Sequence, residues 1–242
     1  MEMNRRAFLI SGLMASATAS SLANQNQETN AAATIPDKKP VAEITRKRPR
    51  QDLDLVFQFV VAGHGNLARV KELIAQEPKL VLAAWDWGGG DWETALGGAS
   101  HTGHREIAKY LLTQGARIDS FCAAMLGERD VVTALLAANS SVASTEGPHG
   151  FTLLYHAASG GDVAIAEALK PHLPLKVKDY NQALSAAARE GHLPMTCWLL
   201  KNGVTDPNVP DAFKKTPLAI ALEKGFTEVA EELRRNGGRE TG

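Results

Sequence analysis

From residue 52 onward, short apolar stretches alternate with polar ones at a spacing that fits helices. The segment from Glu93 to Asp119 shows the unit most clearly. Thr94 is placed to cap a first helix, in which Ala99 and Ser100 are small enough for a neighbouring helix to approach. Gly103 makes a tight turn. Ile107, Ala108, Leu111 and Leu112 return at helical spacing, and Gly115 ends a second helix where a positive φ costs glycine least. Six such units align on Gly65, Gly103, Gly127, Gly161, Gly191 and Gly225. A pair of short helices has an apolar side it cannot bury alone. The pattern therefore predicts an all-α solenoid of about six stacked helix pairs over one continuous core.

Several short motifs recur in register. Thr216-Pro217-Leu218 and Thr152-Leu153-Leu154-Tyr155-His156-Ala157-Ala158 open two units. Proline in a first helical turn loses no hydrogen bond, and the threonine before it caps free amides. Gly103-His104 and Gly191-His192 form turns, and Leu111-Leu112, Leu135-Leu136 and Leu199-Leu200 close units. Together these motifs resemble the ankyrin repeat family, whose units open Thr-Pro-Leu-His-x-Ala-Ala. The resemblance covers residues 52–239. It implies hairpin fingers between helix pairs, terminal copies acting as caps, and a concave face that binds another protein.

Connection lengths decide which fingers form. From the first residue of a closing apolar pair to the next capping position, Leu135 to Thr152 and Leu199 to Thr216 each span 17 residues. Leu73 to Thr94 spans 21, Leu169 to Gln182 spans 13, and Leu111 to Ile118 only 7. Seven residues cannot hold a helix end, a hairpin and a return, so a notch is expected between copies two and three. The longest connection carries Trp85, Trp87 and Trp92 around Gly88-Gly89-Gly90. These tryptophans either meet a partner or fold back over the first two helix pairs. The connection from Glu146 to Phe151 reads as a tight tip bearing His149.

Charge changes the picture little. The 242 residues carry a net charge of −1, which gives no strong attraction to nucleic acid or acidic lipid. Residues 24–50 are basic, with Arg46, Lys47, Arg48 and Arg50 clustered at their end. They read as a solvated linker. Before them, Asn4-Arg5-Arg6-Ala7-Phe8-Leu9-Ile10 is similar to the twin-arginine export motif. An apolar run from Phe8 to Ala19 follows, too short for a stable membrane anchor, and then small-residue cleavage sites such as Ala15-Ser16-Ala17. The similarity implies a bacterial protein exported in the folded state to the periplasm or cell envelope. The expected division is a signal peptide at 1–23, a basic linker at 24–51 and a repeat domain at 52–239.

No catalytic constellation is legible. Cys122 and Cys197 fall in different copies and read as two buried free thiols. No GxSxG, GxGxxG or GxxxxGK[ST] motif is present to support a serine nucleophile or a nucleotide phosphate site. Gly97-Gly98 reads as a close-packing helix surface. His101 and His104 lie three apart, but a zinc site needs two further ligands and the sequence places none, so neither metal nor cofactor is expected. Asp86, Asp91 and Glu93 flank the aromatic finger and argue against single-stranded nucleic acid.

The expectation is a non-catalytic, exported monomer with no membrane span in its mature chain. It presents Trp85, Trp87, Trp92, His101, His149 and Tyr155 to a partner protein. The alternative is a small-molecule or peptide pocket between copies one and three, walled by the tryptophans.

Overall fold

The computed structural model describes residues 51–172 and 177–241. The export signal and nearly all of the basic linker lie outside the described residues. Among the described residues, twelve α-helices form six pairs in chain order. The first of each pair are α1 (Leu53–Gly63), α3 (Ala95–His101), α5 (Ser120–Leu126), α7 (Leu153–Gly160), α9 (Val177–Glu190) and α11 (Pro217–Lys224). Their partners are α2 (Leu67–Gln76), α4 (Arg105–Thr113), α6 (Arg129–Ala138), α8 (Val163–Leu169), α10 (Leu193–Asn202) and α12 (Thr227–Arg235). Each helix packs on its pair-mate, and α1, α3, α5, α7, α9 and α11 stack in sequence as the inner row. The fold is an all-α, ankyrin-like helical repeat.

Local chemistry explains the boundaries. The side chains of Thr94, Asp119, Thr152 and Thr216 each accept a hydrogen bond from an amide in the first turn they cap. Five of the six turn glycines have φ between 73° and 79°, a region that L side chains enter only under strain. Turn histidines join neighbours rather than bonding locally: His192 Nε2 lies 3.1 Å from the Ser159 carbonyl of the preceding copy. Helices approach most closely where Cβ is missing. A Cβ on Gly63 would sit 2.4 Å from the Ala95 carbonyl oxygen, and one on Gly160 would sit 2.2 Å from that of Met125.

Three expectations need correction. The core is two clusters, one built mainly on the first three copies and one on the last four, meeting at α5. Cys122 and Met125 of that helix face the first cluster, while Ala123 and Ala124 face the second. Helix α9 starts at Val177, well before Gln182, because Lys178 to Asn181 contain no glycine or proline to stop it. Cys122 is buried, with its thiol pushed up to about 11 by burial, but Cys197 is half-exposed.

The long connection forms a hairpin of β1 (Ala84–Asp86) and β2 (Trp92–Thr94), with Ala84 opposite Thr94 and Asp86 opposite Trp92. Gly88, Gly89 and Gly90 all have positive φ in its loop. No strand lies between α4 and α5, where the seven-residue connection runs. The turn at residues 146–151 reaches across this place to the hairpin: the His149 backbone N–H donates to Asp91 Oδ1 at 3.1 Å. The notch is therefore bridged. Beside the bridge lies an open groove of about 670 Å³, lined in part by Trp92, Asp119, Phe121, Pro148 and His149. No described helix is long and apolar enough to cross a membrane.

Candidate metal centre

The side chains nearest this bridge come from four places in the chain. Helix α1 ends beside His64. Strand β2 holds Glu93, one residue before the cap of α3. His101 closes α3. The turn at 146–151 supplies His149. Their ligand atoms all lie within 4.8 Å of one another.

Glycines make room for the group. A Cβ on Gly97 would come 3.3 Å from Glu93 Cγ, and one on Gly98 would come 2.8 Å from the His64 ring. Glu93, Gly97 and His101 are four residues apart in succession, so Glu93 can run along the face of α3 toward His101. The glycine pair thus accommodates two polar side chains, not the helix–helix packing expected.

Glu93 is 1% exposed. Among the described residues, only histidines come within ion-pair distance of it. Oε2 accepts the Trp87 indole N–H at 2.8 Å, and lies 3.3 Å from His64 Nε2 and 3.5 Å from His149 Nε2. Oε1 lies 2.9 Å from His101 Nε2, yet the two are not aligned for a hydrogen bond, and both atoms are buried without another partner.

The histidines are oriented from behind. His64 Nδ1 is 3.0 Å from the Val60 carbonyl, and His149 Nδ1 is 3.0 Å from Asp91 Oδ2. Both oxygens are acceptors, so both Nδ1 atoms carry protons and the Nε2 atoms are the ones turned toward Glu93. His101 is held neutral: burial above all, with the repulsion a second positive charge would meet among the neighbouring histidines and Arg189, pushes its pKa down to about 2. Its 2.9 Å contact with Glu93 is therefore no ion pair. For His64, burial acts downward, but the Glu93 carboxylate and the Val60 and Val61 carbonyls outweigh it and the net shift is upward. His149 adopts a left-handed φ of 59°, which costs a non-glycine residue roughly 1 kcal/mol or more. Its bonds to Asp91 hold it there.

An aromatic shell surrounds the cluster. Phe57 meets Trp85 and Trp87 edge-on, with ring centroids 5.1 and 5.9 Å apart, and Phe151 stacks between His101 and Tyr155. The six side chains expected to face a partner thus divide. Tyr155 is 4% exposed and His101 9%, so neither presents a surface, because each is covered by Phe151. Trp85 packs on the first core cluster. Trp87 is 38% exposed and bonds Glu93. His149 is turned to Asp91 and Glu93. Trp92, 61% exposed, stands free beside the groove.

The expectation of no metal rested on the lack of further ligands near His101 and His104. His104 plays no part in the cluster. The missing members are His64 and Glu93, and His149 arrives from a turn 48 residues beyond His101 in the sequence. One signal pointed to two of them: His64 and His101 end neighbouring inner helices, one or two residues before their turn glycines, so stacking must bring them together.

Residues 120–211 match the profile of ankyrin repeats, in three copies. That stretch runs from α5 through α10 and includes His149, but not His64, Glu93 or His101. A stretch of 92 residues is 37% identical to a Transient receptor potential cation channel subfamily A member 1 homolog of Caenorhabditis elegans. The match covers 36% of this chain and 8% of that protein, so this chain spans only a small fraction of that relative's length.

Proposed function

We propose that this chain is an exported ankyrin-repeat module that binds a partner protein through the edge of its hairpin and the groove beside it. Ankyrin repeats are a protein-interaction fold, and three copies lie at residues 120–211. The observation that carries the reading is Trp92, a tryptophan 61% exposed at the mouth of a groove. Tryptophan is enriched at interface hot spots, and Trp92 leaves most of its surface in solvent at the groove's edge. Phe121 and Pro148 add apolar wall. Pre-stacked helix pairs lose little entropy on docking. The role is that of a scaffold, not a catalyst. Export rests on the twin-arginine-like Arg5-Arg6 and the apolar run after it.

Two experiments test this. Affinity capture from the cell-envelope fraction is run with wild type beside Trp92→Ala, both confirmed folded by circular dichroism. A partner held by wild type and lost by the variant supports the reading; equal capture by both removes Trp92 from it. For export, Arg5→Lys with Arg6→Lys should leave the protein in the cytoplasm, and unchanged fractionation would refute the twin-arginine route. The groove's volume of about 670 Å³ also favours a second reading, a small ligand or peptide. That reading predicts a saturable rise in melting temperature with a peptide or small-molecule library member and no captured protein.

A further inference from the structure

We propose that His64, Glu93, His101 and His149 bind one divalent ion of the zinc class, which staples the hairpin and the 146–151 turn to the first two inner helices. This is independent of whether a partner protein docks at Trp92.

Four side chains from separate parts of the chain bring ligand atoms together. His64 Nε2, His149 Nε2 and both carboxylate oxygens of Glu93 point at one small volume, with His101 Nε2 beside them. The Nδ1 sides of His64 and His149 are already committed to Val60 and Asp91, so in each ring Nε2 is the atom left to take a ligand, and both Nε2 atoms face the same buried carboxylate. The second observation is independent of the first. Glu93 Oε1 and His101 Nε2 are fully buried and 2.9 Å apart, but make no hydrogen bond to each other or to anything else. Groups that approach so closely without bonding have the disposition of two ligands on one ion.

The distances fit. Zinc holds nitrogen and carboxylate oxygen at about 2.0–2.1 Å, so neighbouring ligands of a tetrahedral site lie roughly 3.3 Å apart. The Glu93-to-histidine separations are 2.9 Å from Oε1 and 3.3 and 3.5 Å from Oε2, and one ligand atom from each of the four residues lies within 4.8 Å of the others, a spread that a bound ion would draw in. Three imidazoles with one carboxylate suit zinc and its divalent neighbours, and lack the thiolates that select copper(I). The outer contacts are those a metal site needs: a carbonyl behind His64, a carboxylate behind His149, and an indole N–H on the carboxylate ligand. Bound zinc would fix His149, and with it the wall of the groove beside Trp92.

The test uses the full chain, stripped by a chelator. Zinc binding is measured by calorimetry, and cobalt(II) is added as a visible probe of geometry. Wild type should bind one zinc per chain and give the intense visible bands of tetrahedral cobalt(II). Glu93→Gln, which keeps an acceptor for Trp87, and His149→Ala, on a turn with a 32% exposed side chain, should each weaken binding by more than about 100-fold and abolish the tetrahedral bands. His172→Ala, exposed and outside the cluster, should bind as wild type. If Glu93→Gln fails to fold, His149→Ala decides alone. Wild type without one-to-one binding or tetrahedral bands overturns the proposal, as does a His149→Ala variant that binds like wild type.

Discussion

Asp91 and His149, 58 residues apart in the chain, meet through two different groups of the histidine. The Asp91 carboxylate accepts the His149 backbone N–H, with 3.1 Å to Oδ1, and lies 3.0 Å from the ring Nδ1. The first bond holds the left-handed turn, and the second aims Nε2 at Glu93. Asp91→Asn can keep one acceptor but lacks the charge that favours a proton on Nδ1. Zinc affinity is expected to fall by roughly 10–100-fold, read by calorimetry. Urea denaturation of the metal-free protein should change by less than about 1 kcal/mol, because both side chains are about one-third exposed and solvent screens the pair. An unchanged zinc affinity would show that Asp91 does not orient the ligand.

Two glycines that look alike in sequence should respond differently to alanine. At Gly98 the new Cβ comes 2.8 Å from the His64 ring, a side chain that can swing away. Gly98→Ala should cost the metal-free protein only about 1 kcal/mol, and weaken zinc by at least about 10-fold as His64 leaves Glu93. At Gly63 the new Cβ comes 2.4 Å from the backbone oxygen of Ala95, which cannot move without shifting α3. Gly63→Ala should cost roughly 3 kcal/mol in urea denaturation. Equal losses at both sites would contradict separate roles for His64 and the α1–α3 contact.

The tryptophans of the hairpin separate in the same way. Trp92→Ala should move stability by no more than about 0.5 kcal/mol, since most of the side chain is already in water. Trp85→Ala removes a ring packed on Phe57 and the first core cluster, and should cost roughly 2 kcal/mol. Denaturant titration of both variants checks this. A large loss at Trp92 would mean that it covers the core, and would remove the main support for a docking surface there.

The sequence carried the repeat because each copy encodes its own boundaries. Thr94, Thr152 and Thr216 cap helices, and Gly103, Gly127 and Gly225 turn them, by local chemistry alone. The early start of α9 was missed because the helix ahead of Gln182 depends on an absence of breakers, a weaker signal than a cap. The cluster was illegible for a different reason. Its four members are brought together by stacking of α1 on α3 and by a turn that crosses a missing finger. Neither appears in the spacing of any one copy. The burial of Tyr155 and His101 was likewise hidden, because Phe151, which covers both, lies just outside the helical pattern.

His156, which is not one of the proposed ligands, supplies a pH dependence of stability. It is 1% exposed on α7, and its Nδ1 lies 2.9 Å from the Thr152 carbonyl, which fixes the proton on that nitrogen. Burial pushes its pKa down from 6.5 to about 4, although the Thr152 carbonyl and Glu93 act upward. Between those two values the unfolded chain binds a proton that the folded chain refuses, so stability falls as pH drops from about 6.5 and this contribution levels off below about 4. The full effect is of order 3 kcal/mol. His101, held neutral more strongly still, acts in the same direction, while His64, shifted upward, acts against it. His156→Asn keeps a side-chain N–H for Thr152 and does not titrate. Its stability should decline less steeply than wild type over the same interval in urea titrations with chelator present. Parallel slopes for the two proteins would mean that His156 takes up its proton while folded, and that the packing of Phe121 and Tyr155 around it is looser than their ring contacts imply.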